Sequence, residues 1–422
     1  MAKNWYRLDT GALIFPAIKR RDWSNAFRVS ATLTEEIDKD LMKRAAQDLR
    51  KRFPFFYVSL HRGLFWYFLE ETEEDVEIRD DFAYPLTFMS RKELKKCCFR
   101  LLVYKKRIAA EFFHSVTDGT GGITYLSTLL ARYLYLKYGL SVKPEGLVKD
   151  INEEPLQKEL EESFFKYASS KALSRKEPVC YRLHGTQEKD GFRHLTTGIV
   201  DTKELLDAAH SYNVSTSAFL AAVMAKSVIE LQSGERSKKK QKYVKITIPI
   251  NLRKLYKSET LRNFTLLLNI GVDPRMGEYS FKDLCSSMHH QLKAFNTPQY
   301  MSGMIAANVQ PQKNIVLRLA PLFIKTLAMR VVYHKTGESG GCLNISNMGQ
   351  LNLPKEMDPY IERMEFIIGP QISYPNNCSV VSFGGKTYIN MIRSIKESEL
   401  ERLFFSNLVS LGLSVSIETN GD

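Results

Sequence analysis

A single histidine stands at the end of an apolar strand-like segment and is followed, four residues later, by an aspartate and a glycine. These residues are His114, Asp118 and Gly119, within the segment Phe112–Gly122. Imidazole titrates near neutral pH, and a sheet holds a ring at a strand end rigidly. The pattern is typical of a general base. A buried histidine with a purely structural role has the same local pattern, so both interpretations stay open.

Two roles are open for Asp118. Its carboxylate can cap the helix that begins near Gly121, because the first backbone N–H groups of a helix have no partner within the helix. It can also pair with a cation and lock the turn. Gly119 and Gly121 permit the tight backbone that either role requires.

The elements that must position His114 follow from hydrophobic periodicity. Residues 27–33 alternate with period two and predict a strand. Residues 98–103 and 107–113 predict a hairpin, so His114 directly follows its second strand. Residues 122–138 predict a long apolar helix that is closed by Gly139. Further strands and helices alternate to the C-terminus, which favours an α/β fold with mixed sheets.

The periodicity divides the chain into three parts. Residues 143–194 are rich in proline and acidic groups and have little periodicity, which predicts a crossover or lid. They separate an N-terminal lobe, residues 1–142, from a C-terminal lobe, residues 195–422. Each lobe is expected to hold a mixed β-sheet flanked by helices.

One apolar stretch of the second lobe, residues 315–332, is interrupted by Arg318, Lys325 and Arg330. It is too charged for a membrane span, so we predict no integral membrane segment. A helix packed against the protein or a flap beside a tunnel is the favoured interpretation, and an amphipathic helix on a membrane surface is the alternative.

Composition excludes several classes of protein. Of 422 residues, 44% are hydrophobic and 25% charged, which is globular rather than disordered composition. The net charge of +13 favours anionic ligands such as nucleotides, acyl-CoA or nucleic acid. The lysine-rich run 238–242 lacks interleaved aromatic residues and predicts a solvated loop, so no nucleic-acid partner is expected.

Cysteine usage and the N-terminus predict a cytoplasmic protein. The six cysteines contain no CxxC pair and indicate reduced thiols, and the N-terminus has no apolar signal region. No metal site is predicted, because His289 and His290 lack carboxylate or cysteine at ligand spacing. Residues 337–341 match a G-x-S-x-G elbow, but they stand between a helix and a strand in the reverse of the required order.

The spacing His114-x-x-x-Asp118-Gly119 resembles the HxxxDG signature of the chloramphenicol-acetyltransferase-like superfamily, which includes condensation domains. Residues 248–253 resemble its strand ending in Pro-x-Asn-x-Arg, and residues 346–349 resemble its Ser-Asn-x-Gly segment. These matches occur in the family's order over most of the chain. The chain looks most similar to stand-alone bacterial alcohol acetyltransferase-like and condensation-domain-like proteins.

Two further positions bear on this resemblance. Asn263 and Phe264 follow the second motif at an offset similar to that in the family. Phe113 stands where many relatives carry a second histidine, whereas His114 matches the catalytic position. The Asp-Phe-Gly-Trp-Gly motif of the plant-type branch is absent.

The resemblance implies two similar lobes with a tunnel between them and His114 at its midpoint. His114 would act as general base in acyl transfer from acyl-CoA to an alcohol or amine, without a covalent intermediate. Asp118 would point away from the tunnel as structural support and pair with an arginine, for which Arg253 is the candidate. Arg253, Ser346 and Asn347 are expected to contribute to substrate binding. On residue types alone, Ser346 and Asn347 equally predict a turn at a strand end.

Three alternatives remain. The acyl donor could be an acyl carrier protein acting in trans, as in condensation-type enzymes. The chain could be a non-catalytic relative that only binds its ligands. A dimer is possible, although a two-lobed single chain already supplies both sides of a tunnel, so a monomer is expected.

Overall fold

The computed structural model describes residues 4–20, 23, 25–174, 176–234, 241–333, 339–371 and 373–421. Residues 238–240 of the lysine run and residues 337–338 of the G-x-S-x-G match lie outside them. The helices are α1 (Ile14–Ile18), α2 (Lys39–Asp48), α3 (Arg91–Leu94), α4 (Gly119–Tyr138), α5 (Gln157–Leu160), α6 (Ser163–Tyr167), α7 (Thr202–Ser211), α8 (Thr216–Ser233), α9 (Arg253–Tyr256), α10 (Phe281–Phe295), α11 (Pro298–Lys313), α12 (Ile315–Leu319), α13 (Leu322–Val332) and α14 (Glu399–Ser410). The strands are β1 (Trp5–Arg7), β2 (Ala26–Leu33), β3 (Val58–Arg62), β4 (Tyr67–Glu71), β5 (Ile78–Asp80), β6 (Phe99–Tyr104), β7 (Arg107–Phe113), β8 (His194–Asp201), β9 (Val244–Asn251), β10 (Thr265–Val272), β11 (Leu343–Gln350), β12 (Ile361–Ile368), β13 (Asn376–Phe383), β14 (Lys386–Arg393) and β15 (Ser416–Thr419).

Two large mixed sheets organise the molecule. The five-stranded sheet has the order β12-β2-β7-β6-β5, and the seven-stranded sheet has the order β10-β9-β11-β13-β14-β8-β15. In the larger sheet, β11 runs parallel to β9 and to β13, while the other neighbouring pairs are antiparallel. A three-stranded sheet, β1-β4-β3, completes the first half of the chain. The predicted α/β fold with mixed sheets flanked by helices is confirmed.

Each large sheet has its own hydrophobic core. Helices α2 and α4 pack on each other, and α4 packs on β2 and β7 of the five-stranded sheet. Helix α8 packs on β9, α10 and α14 in the second half of the chain. Buried residues lie on nearly every side of α4 and α8, as expected of helices at the centre of a core.

The hairpin that leads to His114 forms as predicted. Strands β6 and β7 pair antiparallel, with Phe99 opposite Phe112 and Tyr104 opposite Arg107, and β7 also pairs with β2. Helix α4 ends at Gly139, whose φ of 69° lies in the left-handed region that glycine tolerates. The helix starts three residues earlier than predicted, because Asp118 caps its first backbone N–H groups.

Strand β12 belongs to the second half of the chain by sequence but to the sheet of the first half by pairing. It lies within the sequence of the predicted C-terminal lobe but pairs antiparallel with β2, at the edge of the five-stranded sheet. The side chains of Ser379 and Asn390, from the seven-stranded sheet, donate to the backbone carbonyl of Phe366 in β12 at 2.7 and 3.1 Å. One strand therefore ties the two large sheets together. The lobe boundaries at 142 and 195 stay a prediction.

The apolar stretch 315–332 differs from its prediction. It forms two helices, α12 and α13, because Ala320 and Pro321 interrupt the helical backbone. No residue of α12 and only Leu322 of α13 is buried, although α13 packs on α1, so the stretch lies at the surface of the protein. Among the described residues, no single helix is long and apolar enough to cross a membrane, and α7 with α8 reaches that length only as a pair bent by 79°.

A buried network of charges lies within the five-stranded sheet. Glu111 in β7 accepts hydrogen bonds from Arg28 of β2 at 2.8 Å and from Arg100 of β6 at 2.6 Å. Arg28 also forms an ion pair with Asp81 at 2.9 Å. Burial alone would raise the pKa of Glu111, but the two arginines hold it below its usual range. The three central strands are thus joined by side-chain charges as well as by backbone hydrogen bonds.

We expect Glu111→Gln to lower the free energy of unfolding by about 3–5 kcal/mol, because it leaves two buried guanidinium groups undercompensated. The measurement is urea unfolding at neutral pH. Asp80→Asn removes the exposed ion pair with Lys39 and serves as the control, which should change stability little. Equal stabilities of the two variants would contradict the role assigned to the network.

Candidate active site

His114 is fixed at the end of β7 by backbone hydrogen bonds and by aromatic rings. Its backbone N–H donates to the carbonyl of Asn25 at 2.9 Å, and its own carbonyl accepts from Asn263 Nδ2 at 2.9 Å. Phe15 in α1 stacks on the imidazole with ring centroids 4.5 Å apart, and Phe27 in β2 contacts it edge-on at 5.1 Å. The ring therefore has a defined orientation.

The side chain of Asn263 determines which imidazole nitrogen carries the proton. Asn263 Oδ1 lies 2.8 Å from His114 Nδ1. Because Nδ2 of the same amide donates to the His114 carbonyl, the oxygen faces the ring and accepts from Nδ1–H. The neutral ring then has its lone pair on Nε2. Within the described ranges no residue forms a hydrogen bond with Nε2, and His114 as a whole residue is half-buried.

Burial keeps the imidazole neutral. Desolvation lowers the pKa of His114, and the nearby Asp118 carboxylate and the Asn263 hydrogen bond offset only part of this effect. The net pKa lies below the usual value for histidine. At neutral pH the ring is therefore unprotonated on Nε2 and can accept a proton.

Asp118 forms a buried ion pair with Arg253. The two carboxylate oxygens accept from Arg253 Nη1 at 2.8 Å and Nη2 at 3.1 Å. Arg253 also donates to the carbonyl groups of Thr260, at 2.6 Å, and Arg262. The pair that the resemblance implied is present in the structure. The guanidinium of Arg253 is engaged by these protein groups, and its predicted part in substrate binding stays a prediction.

The same carboxylate also joins α4 to the segment before β10. Asp118 accepts from the backbone N–H groups of Thr120 and Gly121 in the first turn of α4, at 3.2 and 3.4 Å. It accepts from Phe264 N at 2.9 Å and from Thr265 Oγ1 at 3.0 Å. Burial alone would raise the pKa of Asp118, but Arg253 and these donors lower it, so the group is a carboxylate at neutral pH.

The Ser-Asn-Met-Gly segment of β11 contacts the motif at Gly119. A Cβ atom on Gly119 would lie only 2.8 Å from Met348 Sδ, so a larger residue here would have to displace the Met348 side chain. The amide of Asn347 donates to Ser217 Oγ at 3.2 Å and accepts from the Gly349 backbone N–H at 2.8 Å. The structure thus brings together the two motifs that are farthest apart in sequence.

Ser346 and Asn347 lie half-buried in β11, where they pair with Ser379 and Val380 of β13. The Gly349 backbone N–H donates to Asn347 Oδ1 where the pairing of β11 with β13 shifts register, and β11 continues to Gln350, so the predicted turn at a strand end does not form here. Both residues lie beside the segment that contacts Gly119. Their part in substrate binding stays a prediction.

Sequence reasoning missed the residues that orient the histidine. Asn263 was noted for its offset alone, and its contact with His114 spans 149 residues. Asp9 is buried and accepts from the Asn263 backbone N–H at 3.3 Å. Burial raises the pKa of Asp9 to about 7. A lone aspartate ahead of an apolar segment and an amide after the second motif are the only sequence signals of this arrangement.

No group of three or more histidine, cysteine, aspartate or glutamate side chains within the described ranges is arranged to hold a metal ion. His289 and His290 contact each other on α10, and His290 shares a hydrogen bond with Ser286. Independently of any metal, an oriented and neutral imidazole such as that of His114 can accept a proton.

No protein-family model and no curated protein sequence matches this chain. Solved structures match over nearly its whole length. TRI101 of F. graminearum, complexed with ethyl coenzyme A, has a TM-score of 0.63 and 10% identity over 98% of this chain and 100% of its own. The condensation domain of the monacolin K polyketide synthase MokA has a TM-score of 0.61 and 9% identity over 97% of both chains. The chain has the chloramphenicol-acetyltransferase-like fold.

A third structure with the chloramphenicol-acetyltransferase-like fold is the wax ester synthase/diacylglycerol acyltransferase of Marinobacter aquaeolei VT8. It has a TM-score of 0.56 and 13% identity over 96% of this chain and 100% of its own. The fold predicted from the HxxxDG spacing is confirmed. Identities this low show the fold alone, so the chemistry must come from this chain's own residues.

We expect Asp118→Asn to destabilise the protein by about 3–5 kcal/mol, because Arg253 stays buried without a full counter-charge. Since folding lowers the pKa of Asp118, its contribution is complete above the unfolded value near 4 and declines as the pH falls further. Urea unfolding at pH 7 measures the loss. Asp207→Asn, in the exposed pair with Lys203, is the control. A stability near wild type for Asp118→Asn would contradict the stabilising role of the Asp118–Arg253 ion pair.

Proposed function

We propose that this protein is an acyltransferase that moves an acyl group from a thioester to an alcohol or amine, with His114 as general base. The observation that carries the proposal is the state of its imidazole. Nδ1 is held by Asn263, the ring is neutral, and within the described part of the chain Nε2 has no hydrogen-bond partner. A purely structural histidine would be expected to use both nitrogens or to be sealed in the core.

The proposed reaction needs only one proton acceptor. Nε2 takes the proton from the acceptor hydroxyl or amine while its oxygen or nitrogen attacks the thioester carbonyl carbon. The tetrahedral intermediate collapses, the carbon–sulfur bond breaks, and the leaving thiolate takes the proton from the imidazolium. No covalent enzyme intermediate forms. Asn263 Oδ1 stabilises the imidazolium by accepting from Nδ1–H throughout.

The acyl donor is proposed to be acyl-CoA. The net charge of +13 attracts an anionic donor, and a protein with the same fold was solved with ethyl coenzyme A. A carrier-protein thioester is the alternative donor, since another protein with this fold is a condensation domain. Release of free CoA thiol, compared with release of the thiol form of a carrier protein, separates the two donors. We also propose that the enzyme acts in the cytoplasm as a monomer.

We expect His114→Ala to lower the rate of acyl transfer by about 10²–10⁴-fold, the usual contribution of a positioned general base. The measurement is thiol release from a panel of acyl-CoA substrates with alcohol and amine acceptors. His290→Ala, at an exposed histidine of α10, is the matched control and should retain the wild-type rate. Equal rates for His114→Ala and wild type would exclude the mechanism. Ligand-induced thermal stabilisation without turnover by the wild type would favour a binding protein.

We expect the pH profile of kcat/KM to rise with pH through the pKa of His114, at a value below 6.5, because only the neutral ring accepts a proton. Asn263→Ala removes the hydrogen-bond acceptor that favours the imidazolium, which lowers the pKa of His114. The rising limb of the profile should therefore move to lower pH. The same variant should lower kcat by about tenfold, since one hydrogen bond to a group that becomes charged is lost. Asn152→Ala, at an exposed asparagine, should change neither quantity. A rising limb at the wild-type pH in Asn263→Ala would contradict the role of Asn263.

A further inference from the structure

The helices α12 and α13 expose an apolar surface that the proposed reaction does not use. It is formed by Ile315, Val316, Leu319, Phe323, Leu327 and Val331, and we refer to these six residues as the α12–α13 surface. Val316 is 72% exposed and Leu319 is 65% exposed. Large aliphatic and aromatic side chains gathered on adjacent helices form a contiguous patch, which on soluble proteins marks an interaction site.

The apolar side of α13 faces away from the protein. Phe323, Leu327 and Val331 follow one another at intervals of four residues and are all exposed. On the other side, Leu322 is buried and Met329 is partly buried. A helix of a globular protein normally turns its apolar stripe inwards, so the orientation of α13 is reversed.

Specific contacts hold α13 in this orientation. The Leu322 backbone N–H donates to the carbonyl of Leu64 at 2.8 Å, and Lys325 Nζ donates to the carbonyl of Phe65 at 2.9 Å. Arg330 Nε donates to the carbonyl of Ala17 in α1 at 2.6 Å. The backbone of the protein thus anchors both ends of α13. Leu64 is itself 71% exposed and extends the apolar surface beyond the two helices.

The charge of this region is entirely positive. Residues 284–337 contain no aspartate or glutamate, whereas Lys313, Arg318, Lys325 and Arg330 lie in or beside the two helices. In the part of the chain that the structure describes, none of these four side chains forms an ion pair with a carboxylate. The exposed apolar side chains are therefore accompanied by cations that no carboxylate among the described residues pairs with.

We propose that the α12–α13 surface docks on a lipid bilayer that carries anionic headgroups. Apolar side chains enter the headgroup–acyl boundary, and adjacent lysine and arginine side chains bind lipid phosphates. A second copy of the chain is a poorer occupant, because it would bring the same cations together. Helix α13 packs on α1, whose Phe15 stacks on His114, so docking places the bilayer on this side of the candidate site. The proposal does not depend on acyl transfer.

The test is flotation of the full-length protein with phosphatidylcholine–phosphatidylserine vesicles, compared with pure phosphatidylcholine vesicles. Wild type should float with the anionic vesicles and bind the neutral ones at least tenfold more weakly. The double variant Phe323→Glu, Leu327→Glu should lose binding, because two exposed apolar contacts are replaced by charges that the anionic headgroups repel. Phe82→Glu, at a phenylalanine that is 84% exposed on the loop after β5, is the matched control and should float as wild type does.

The contribution of charge is tested separately. Lys313→Gln and Arg318→Gln should each weaken binding to anionic vesicles about fivefold, as expected for one headgroup contact, and high salt should weaken wild-type binding. All the substituted side chains are exposed, so every variant should fold. Thermal melts of each variant verify this. Binding of the folded double variant at wild-type strength, or absence of wild-type flotation, would overturn the proposal. A wild-type dimer that the double variant dissociates would equally overturn it in favour of self-association.

Discussion

The carboxylate of Asp118 joins three parts of the chain that are distant in sequence. It accepts hydrogen bonds from the first turn of α4, from Arg253 and from the segment that enters β10. An unpaired carboxylate in this buried position would be strongly unfavourable, so these contacts can be satisfied only in one relative placement of the three segments. Because His114 lies between β7 and this turn, the position of its ring depends on the same ion pair.

The connection between β9 and β10 has two functions at once. Arg253 and Phe264 hold Asp118, while Asn263, which precedes Phe264, fixes the tautomer of His114. The element that stabilises the turn therefore also orients the candidate base. Opposing effects act on the imidazole, since burial lowers its pKa whereas the Asp118 carboxylate raises it. Burial is the larger effect, which leaves a neutral ring beside a buried negative charge.

The sequence predicted those features that depend on neighbours along the chain. The hairpin of β6 and β7 and the end of α4 at Gly139 follow from periodicity and glycine, and the HxxxDG motif is contiguous. It did not predict α11, the sheet to which β12 belongs or the contact between Asn263 and His114, because these depend on packing between distant segments. The stretch 315–332 shows a second limit. An apolar helical pattern is the same whether its apolar side faces a core or faces outwards, and only the structure shows which side is covered.

Strand β12 affects how the chain can reach its folded state. Its pairing with β2 completes the five-stranded sheet, whose other four strands all lie within residues 26–113. During synthesis, the edge of β2 stays open until residues 361–368 have left the ribosome. A fragment that ends before β12 would present unpaired backbone groups at that edge, where another chain can add. The two halves of this protein are therefore not separable as independent fragments, even though each has a core of its own.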